Sequence, residues 1–206
     1  MTLENKLNIT DPAQLARSEE ELSKAEAVWL YDSGLLDSLT PGTFDSLAQI
    51  HRVLFEKIYD FAGEIRHVNL AKGNFRFASV MYLAAALEKI EQMPQKSFDE
   101  IVEKYVEMNV AHPFREGNGR AARIWLDLIF KKELGKVIDW SKIDKEDYLL
   151  AMERSPVRDT EIKHLLQKAL TADIHNRELF MKGIDHSYAY EGYSAFSTSD
   201  LSKTKN

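Results

Sequence analysis

The chain has 206 residues, about one domain's length, with 44% hydrophobic and 29% charged residues, as in ordinary globular proteins. It has no cysteine, which excludes a thiolate zinc site, an iron–sulfur cluster, a cysteine nucleophile and a disulfide framework. Its 33 Asp and Glu against 27 Lys and Arg give a net charge of −6, which disfavours broad nucleic-acid binding.

The first residues are polar and contain no signal-peptide core, and the longest uncharged apolar run, 81–87, is too short to span a membrane. We therefore expect a soluble, cytoplasmic protein without a membrane partner. The first predicted helix begins with a capping-box pattern at Ser18 and Glu21 and runs to about Asp32. Apolar residues spaced by three and four predict a second helix from Phe44 that ends near Gly63.

Segment 65–80 is rich in β-branched and aromatic residues around Gly73-Asn74, which predicts a short β-hairpin. A hairpin alone is marginally stable, so this one should lean on the helices or form a mobile flap. Five further helices are expected: from Val80 to about Ile90, from Ser97 to about Ala111, from near Arg120 to Leu134, and two that start at Asp144 and at Asp159 or Thr160.

A last helix is predicted over 176–191, with Gly192 as its C-terminal stop. The fold class is therefore all-α, with one short β-hairpin. The predicted organisation is an N-terminal segment (1–17), a main domain (18–175), a C-terminal helix (176–192) and a disordered tail (193–206), since the tail has little apolar surface.

The loop HPFREGNGR, from His112 to Arg120, carries the chemistry. Gly117 and Gly119 flank Asn118, and these residue types allow backbone N–H groups to converge on one point. A helix begins directly after them and adds its unpaired N–H groups and the positive end of its dipole. This arrangement predicts an anion site, with phosphate as the usual occupant.

Charged side chains around the loop fit an oligophosphate. Arg120 and Arg123 lie three apart, hence on one helix face. Glu116 offers the hard oxygen that Mg²⁺ prefers, and His112 can act as a base near neutral pH. Each feature alone is more often a cap, a turn or a solvated surface, but their combination in one short window indicates a site.

HPFREGNGR resembles the signature of the Fic (Fido) family, in which His-Pro-Phe, two variable positions and Gly-Asn-Gly-Arg occur together. Segments 50–66 and 72–78 resemble the helix before the family's flap and the flap itself, and AMERSPV resembles the stretch after the core. The resemblance covers roughly 20–192. It implies the family's all-α fold with one hairpin and makes 18–175 the catalytic domain.

The resemblance further implies an enzyme, a protein adenylyltransferase that moves AMP from ATP onto a Ser, Thr or Tyr hydroxyl of a target protein and releases pyrophosphate. His112 would be the catalytic base, Glu116 would hold Mg²⁺ between the α- and β-phosphates, and Arg123 would clamp the γ-phosphate. The implied nucleotide-binding residues are Lys72, Asn109, Gly117, Asn118, Gly119, Arg120, Arg123 and Lys145.

The flap residues Lys72, Gly73, Asn74 and Phe75 would hold the target by strand addition. The alternative is that Phe75 and Phe77 only pack the hairpin down, and both interpretations stay open.

The segment SYAYEG, from Ser187 to Gly192, resembles the inhibitory motif of class III Fic proteins, which lies on a C-terminal helix. Glu191 would pair bidentately with Arg123 and deny it to ATP, while Ser187 would fasten that end of the helix. Tyr188 is a candidate for self-modification, and restraint by contacts in a homo-oligomer is expected. A role of Glu191 in removing AMP is left open.

Two alternative functions remain: a Fic protein that transfers another phosphate-containing group, and a non-catalytic interaction module with the flap as a peptide dock. A helix-turn-helix regulator is disfavoured by the acidic charge. The other five histidines show no metal-ligand spacing, and surface or packing roles are expected for His51, His67, His164, His175 and His186.

Overall fold

The computed structural model describes residues 2–73 and 75–201. Its first helix, α1, covers Pro12–Asp32. Asp11 caps this helix by accepting the Gln14 N–H at 2.7 Å, and Pro12 brings a preset φ to the first turn. The prediction that the helix starts at Ser18 is therefore wrong, because the Asp-Pro cap acts earlier and Ser18 lies inside the helix.

Eight more α-helices follow before the C-terminal residues: α2 (Leu35–Ser38), α3 (Phe44–Phe55), α4 (Val80–Gln92), α5 (Phe98–Ala111), α6 (Asn118–Leu134), α7 (Lys145–Arg154), α8 (Thr160–Ala169) and α9 (Arg177–Tyr190). A 3₁₀ turn spans Trp140–Lys142, and α10 (Thr198–Leu201) comes last. Across the described residues, no helix has both the length and the apolar character that crossing a bilayer requires.

Two short antiparallel strand pairs complete the fold. β1 (Ala71–Lys72) pairs with β2 (Phe75–Arg76), and β3 (Val137–Ile138) pairs with β4 (Leu170–Thr171). The predicted fold class, all-α with a β-hairpin flap, is confirmed. The sequence does not predict the second pair, because strands of two residues are too short to show a periodicity.

Local signals set most of the other helix ends. In α5 both halves of the predicted capping box form, with the Glu100 N–H donating to Ser97 Oγ and the Ser97 N–H to the Glu100 carboxylate. The α6 helix ends at Gly135, whose φ is +61°. In contrast, α3 ends at Phe55 rather than near Gly63, and turns connect the two.

The core is organised around α6, which packs against α3, α5 and α9. Its side chains Trp125, Leu126, Ile129 and Phe130 are completely buried. The indole of Trp125 also donates to the Thr43 carbonyl at 3.0 Å, which ties α6 to the start of α3. The helix that begins at the glycine-rich loop is therefore anchored in the close-packed core.

Residues 193–201, here called the C-terminal strap, fold back onto α1 and α9. The backbone N–H groups of Ala195 and Phe196 donate to the Glu20 carboxylate, and Lys24 Nζ donates to the Phe196 carbonyl at 2.6 Å. The predicted disorder of the tail is therefore wrong for 193–201, because distant partners on α1 supply the interactions that its own composition lacks. Residues 202–206 lie outside the described part of the chain.

Candidate active site

The loop between α5 and α6 is closed by its own side chains. His112 ends α5 in the left-handed conformation, with φ +50°. Asn118 then accepts the Phe114 N–H and donates to the Phe114 carbonyl, both at 2.8 Å. The side-chain amide of Asn118 therefore holds the loop shut, and its predicted role in nucleotide binding stays a prediction.

Glycine is required at Gly117 of this loop, and Gly119 marks a close contact with another element. Gly117 has a φ of +76°, and a Cβ there would lie 2.4 Å from the ring of Phe55. At Gly119 a Cβ would lie 2.4 Å from Oε1 of Glu191. A carboxylate therefore already lies against the first turn of α6, where the unpaired N–H groups of the helix favour an anion.

The imidazole of His112 lies face to face with Phe77, with ring centroids 3.7 Å apart and an interplanar angle of 16°. Burial, followed by the nearby positive charge of Arg66, lowers the pKa of His112 to about 4. The imidazole is therefore neutral at pH 7 and retains a lone pair that can accept a proton.

Arg66 is a site residue that the sequence analysis misses. Its buried guanidinium donates to the carbonyls of Val68, Ala78, Ala111 and His112, the last through Nε at 2.7 Å. These carbonyls belong to both ends of the flap segment and to the end of α5. Arg66 therefore fixes the base of the flap beside the imidazole.

Glu116 keeps one oxygen open. Its Oε1 accepts the Gly117 N–H at 3.0 Å and a hydrogen bond from Arg120 Nη2 at 3.1 Å. Its Oε2 has no hydrogen-bond partner among the residues that the structure describes, and the side chain is 41% exposed. Burial raises the pKa of Glu116, while Arg120 acts in the opposite direction.

His51 anchors the backbone of this loop from α3. Its Nδ1 accepts the Gly63 N–H at 2.9 Å, which places the proton on Nε2, and Nε2 lies 2.8 Å from the Glu116 carbonyl that it donates to. Burial lowers the pKa of His51 to about 3. The packing role expected for His51 thus includes a hydrogen bond that holds Glu116 in place.

Arg120 is completely buried among three carboxylates. Nη1 lies 2.6 Å from Glu19, Nη2 bonds Glu116, and Nε lies 2.8 Å from Oε2 of Glu191. The Nε contact is a charge contact only, because this atom donates no hydrogen bond within the described residues. Burial alone would lower the pKa of Arg120, but Glu191 and Glu19 raise it well above its ordinary value.

Arg123 lies one turn further along α6 and contacts the end of α9. Its Nη2 lies 2.6 Å from Oε1 of Glu191, and its Nε donates to Ser187 Oγ at 2.6 Å. The predicted bidentate pair between Glu191 and Arg123 is therefore wrong: the two carboxylate oxygens divide between Arg123 and Arg120, since both arginines face the end of α9. Ser187 joins α9 to α6 through hydrogen bonds from Arg123.

Tyr188 is completely buried, and its hydroxyl donates to Ser23 Oγ at 2.9 Å. This position contradicts an exposed self-modification site while α9 is docked, because α1 covers the hydroxyl. Gly192 follows the end of α9 with a φ of +92°, a conformation that favours glycine.

The flap residues form the hairpin β1–β2, in which Lys72 is paired with Phe75. Phe77 stacks on His112, and Phe75 contacts Phe77 edge-on, with ring centroids 5.2 Å apart. Gly73 is in the left-handed region, and Asn74 lies outside the described residues.

The three remaining predicted nucleotide contacts differ in position. Lys72 is exposed on β1. Burial has the largest influence on the pKa of both His112 and Glu191, lowering the first and raising the second, and the charge of Lys72 lowers both. Asn109 donates its amide to the backbone carbonyl one turn earlier in α5, at 2.8 Å. Lys145 is exposed at the start of α7, and no hydrogen bond or ion pair joins it to the described residues of the loop.

Comparisons with known proteins relate the chain to one family. The model of the Fic/DOC family matches residues 41–130. The chain is 27% identical over 181 residues to the "Probable protein adenylyltransferase Fic" of Salmonella typhimurium, covering 82% of this chain and 88% of that protein. It is 30% identical over 167 residues to a probable protein adenylyltransferase of Sinorhizobium fredii, covering 74% of this chain and 82% of that protein.

A solved structure with the same fold is the N-terminal Fic domain of a Bartonella quintana VirB-translocated effector with bound ADP. Its TM-score is 0.67 at 25% identity, over 82% of this chain and 91% of that one.

Proposed function

The chain belongs to the Fic/DOC family, and we propose on that premise that it is a protein adenylyltransferase, which transfers AMP from ATP to a hydroxyl group of a target protein. One observation carries the proposal: a neutral imidazole, His112, stands beside an anion site at the start of α6 that a carboxylate now fills. The names of the relatives and the ADP bound to the Bartonella quintana domain support a nucleotide as the occupant.

His112 is the base in this reaction. Its lone pair accepts the proton of a Ser, Thr or Tyr hydroxyl as the oxygen attacks the α-phosphorus of ATP. The bond between the α-phosphorus and the bridging oxygen then breaks, and pyrophosphate leaves. Since burial keeps the pKa of His112 near 4, the base needs no deprotonation at neutral pH.

Glu116 suits a Mg²⁺ ion that is held mainly by phosphates and water. One of its oxygens is open, and no group of three or more His, Asp or Glu side chains among the described residues forms a complete metal cage. When bound, Mg²⁺ supplies positive charge to the phosphate oxygens and orients them. Glu116 itself is kept in place by Gly117, Arg120 and the hydrogen bond from His51.

Arginine side chains and backbone N–H groups at the start of α6 stabilise the negative charge of the reacting phosphates. In this proposal Arg120 faces the α-phosphate with its Nε, which donates no hydrogen bond to any residue that the structure describes. Arg123 takes the γ-phosphate and so aligns the chain for displacement in line. Lys72 adds positive charge from the flap side.

Glu191 acts as a brake in the docked state. Its carboxylate lies where the first turn of α6 would take a phosphate, and it engages both arginines. A 100-fold suppression needs a bias of about 2.7 kcal/mol, which one buried ion pair can provide. Self-modification of Tyr188 belongs to a state in which α9 has left, and contacts within a homo-oligomer are a further restraint.

The target segment adds to the hairpin as a strand. β1 is exposed and pairs with β2 on one side, so its other edge leaves backbone groups that a further strand could bind. This mode tolerates different side chains around the modified hydroxyl. Because the reaction consumes ATP, we retain the cytoplasm as the place where it occurs.

The test is incubation with ATP labelled at the α- or the γ-phosphate, together with cell lysate, for the wild type and the Glu191→Gly variant. Protein bands labelled from α-phosphate and not from γ-phosphate support AMP transfer. Label from the γ-phosphate would instead show phosphate transfer, and no labelled protein in either case would favour a non-catalytic interaction module.

A further inference from the structure

Glu19 is a buried carboxylate on α1 that belongs neither to the loop motif nor to the inhibitory motif. Its side chain is 3% exposed. An ionised carboxylate in such a place is costly unless it is paired and fully hydrogen-bonded. The residues that pair with Glu19 therefore indicate its role.

Three side chains from different parts of the chain meet at Glu19. Arg120 Nη1 lies 2.6 Å from Oε1, and the hydroxyl of Tyr193, in the C-terminal strap, donates to the same oxygen at 2.9 Å. The hydroxyl of Tyr59 donates to Oε2. Glu19 is thus held from two sides while its charge is directed at Arg120.

Arg120 and Arg123 differ in the carboxylates that still pair with them when Glu191 withdraws. Arg123 loses the one carboxylate that pairs with it within the described residues, whereas Arg120 keeps Glu19 and Glu116. A guanidinium is planar, so fixing its Nη1 edge also fixes the direction of Nη2 and Nε. The rings of Phe55 and Tyr193, 4.9 and 4.6 Å from its centre, restrict it further.

We propose that Glu19 is a positioning residue for AMP transfer: it holds Arg120 by Nη1 so that the Nε edge stays turned toward the phosphate undergoing attack. The inference rests on the proposed function. Glu19 touches neither nucleotide nor target in this account, and it acts through Arg120 alone. Its loss should therefore reduce the rate of the chemical step and leave ATP binding, which relies on Arg123 and the backbone groups, nearly unchanged.

The test compares Glu191→Gly with Glu191→Gly/Glu19→Gln, because the parent variant lacks the brake. We expect kcat for transfer of labelled AMP to fall about tenfold or more, with the KM for ATP changed less than about threefold. The matched control is Glu26→Gln, also on α1 and also ion-paired, with Lys57 at 2.5 Å, but not among the carboxylates that pair with Arg120 within the described residues. The control should keep the kcat of the parent.

An unchanged kcat in a folded Glu19→Gln variant overturns the inference, and so does a rise in KM alone or an equal loss of kcat in the Glu26→Gln control. If Glu19→Gln does not fold, Tyr193→Phe is used in its place. This variant removes only the hydroxyl that donates to Glu19. A fall of about threefold in kcat supports the role there, and an unchanged kcat opposes it. If the Glu191→Gly parent binds ATP in calorimetry but transfers no AMP, the proposed function fails instead.

Discussion

Oε1 of Glu191 lies 2.6 Å from Nη2 of Arg123, so the end of α9 is joined to the first turns of α6 by an ion pair whose arginine side chain is 4% exposed. The same carboxylate lies close enough to Gly119 to fill the space of a Cβ. One side chain thus neutralises an arginine and occupies the anion site at the helix start.

Replacement of Glu191 by glycine should raise AMP transfer by about 100-fold, because both arginines and the anion site are released together. The measurement is the initial rate of labelling from α-labelled ATP at fixed protein concentration. Glu178→Gly is the matched control, since Glu178 lies on the same helix but is exposed and, among the described residues, pairs with Lys182 alone. Equal rates for Glu191→Gly and the wild type would count against the brake.

Tyr188 should become labelled with AMP in the Glu191→Gly variant and stay unlabelled in the wild type. The reason is burial: α1 covers its hydroxyl while α9 is docked, and loss of the ion pairs loosens that helix. Peptide mass spectrometry locates the label, and Glu191→Gly/Tyr188→Phe is the control. Label on Tyr188 in the wild type would mean that α9 is not held as described.

The imidazole of His112 should stay neutral down to about pH 4, since burial and Arg66 lower its pKa from the ordinary 6.5. In the unfolded chain the same group takes up its proton near 6.5. Between these two values the unfolded state binds more protons, so His112 makes the folded state lose stability as pH falls through this window. NMR titration of the ring measures the pKa directly, and a midpoint near 6.5 would contradict the burial that we describe.

Lys24→Met should destabilise the fold by about 3–5 kcal/mol, because it leaves buried carboxylate charge without its cation. Lys24 Nζ lies 3.0 Å from Glu20 and 3.3 Å from Asp185, and its side chain is 1% exposed. Urea unfolding measures the loss. Lys182→Met, which breaks an exposed pair, should leave the urea midpoint nearly unchanged. If Lys24→Met lost no more stability than Lys182→Met, the C-terminal strap would not be held by this cluster.

The sequence predicts the parts of this site that depend on neighbours along the chain. His112, Glu116, Arg120 and Arg123 fall within one short window, and the structure places them around the start of α6. The capping box of α5 is likewise local, since both of its hydrogen bonds join residues three apart.

Contacts between distant residues are what the sequence does not reveal. Glu19 is 101 residues from Arg120, and the residues that α1 buries include Glu20, Lys24 and Glu26, which in sequence look like a solvated face. Arg66 likewise gives no local sign that it will bind four carbonyls. A buried charge can be recognised only when its partner is known, and these partners come from tertiary packing.

The central claim is that His112 is the base for AMP transfer, and the direct test is the Glu191→Gly/His112→Ala variant. Its release of pyrophosphate and its labelling of protein from α-labelled ATP are measured beside Glu191→Gly, with ATP affinity determined by calorimetry. Transfer should disappear in this variant, while ATP should still bind with nearly the parent affinity. Transfer at the parent rate without the imidazole would contradict it.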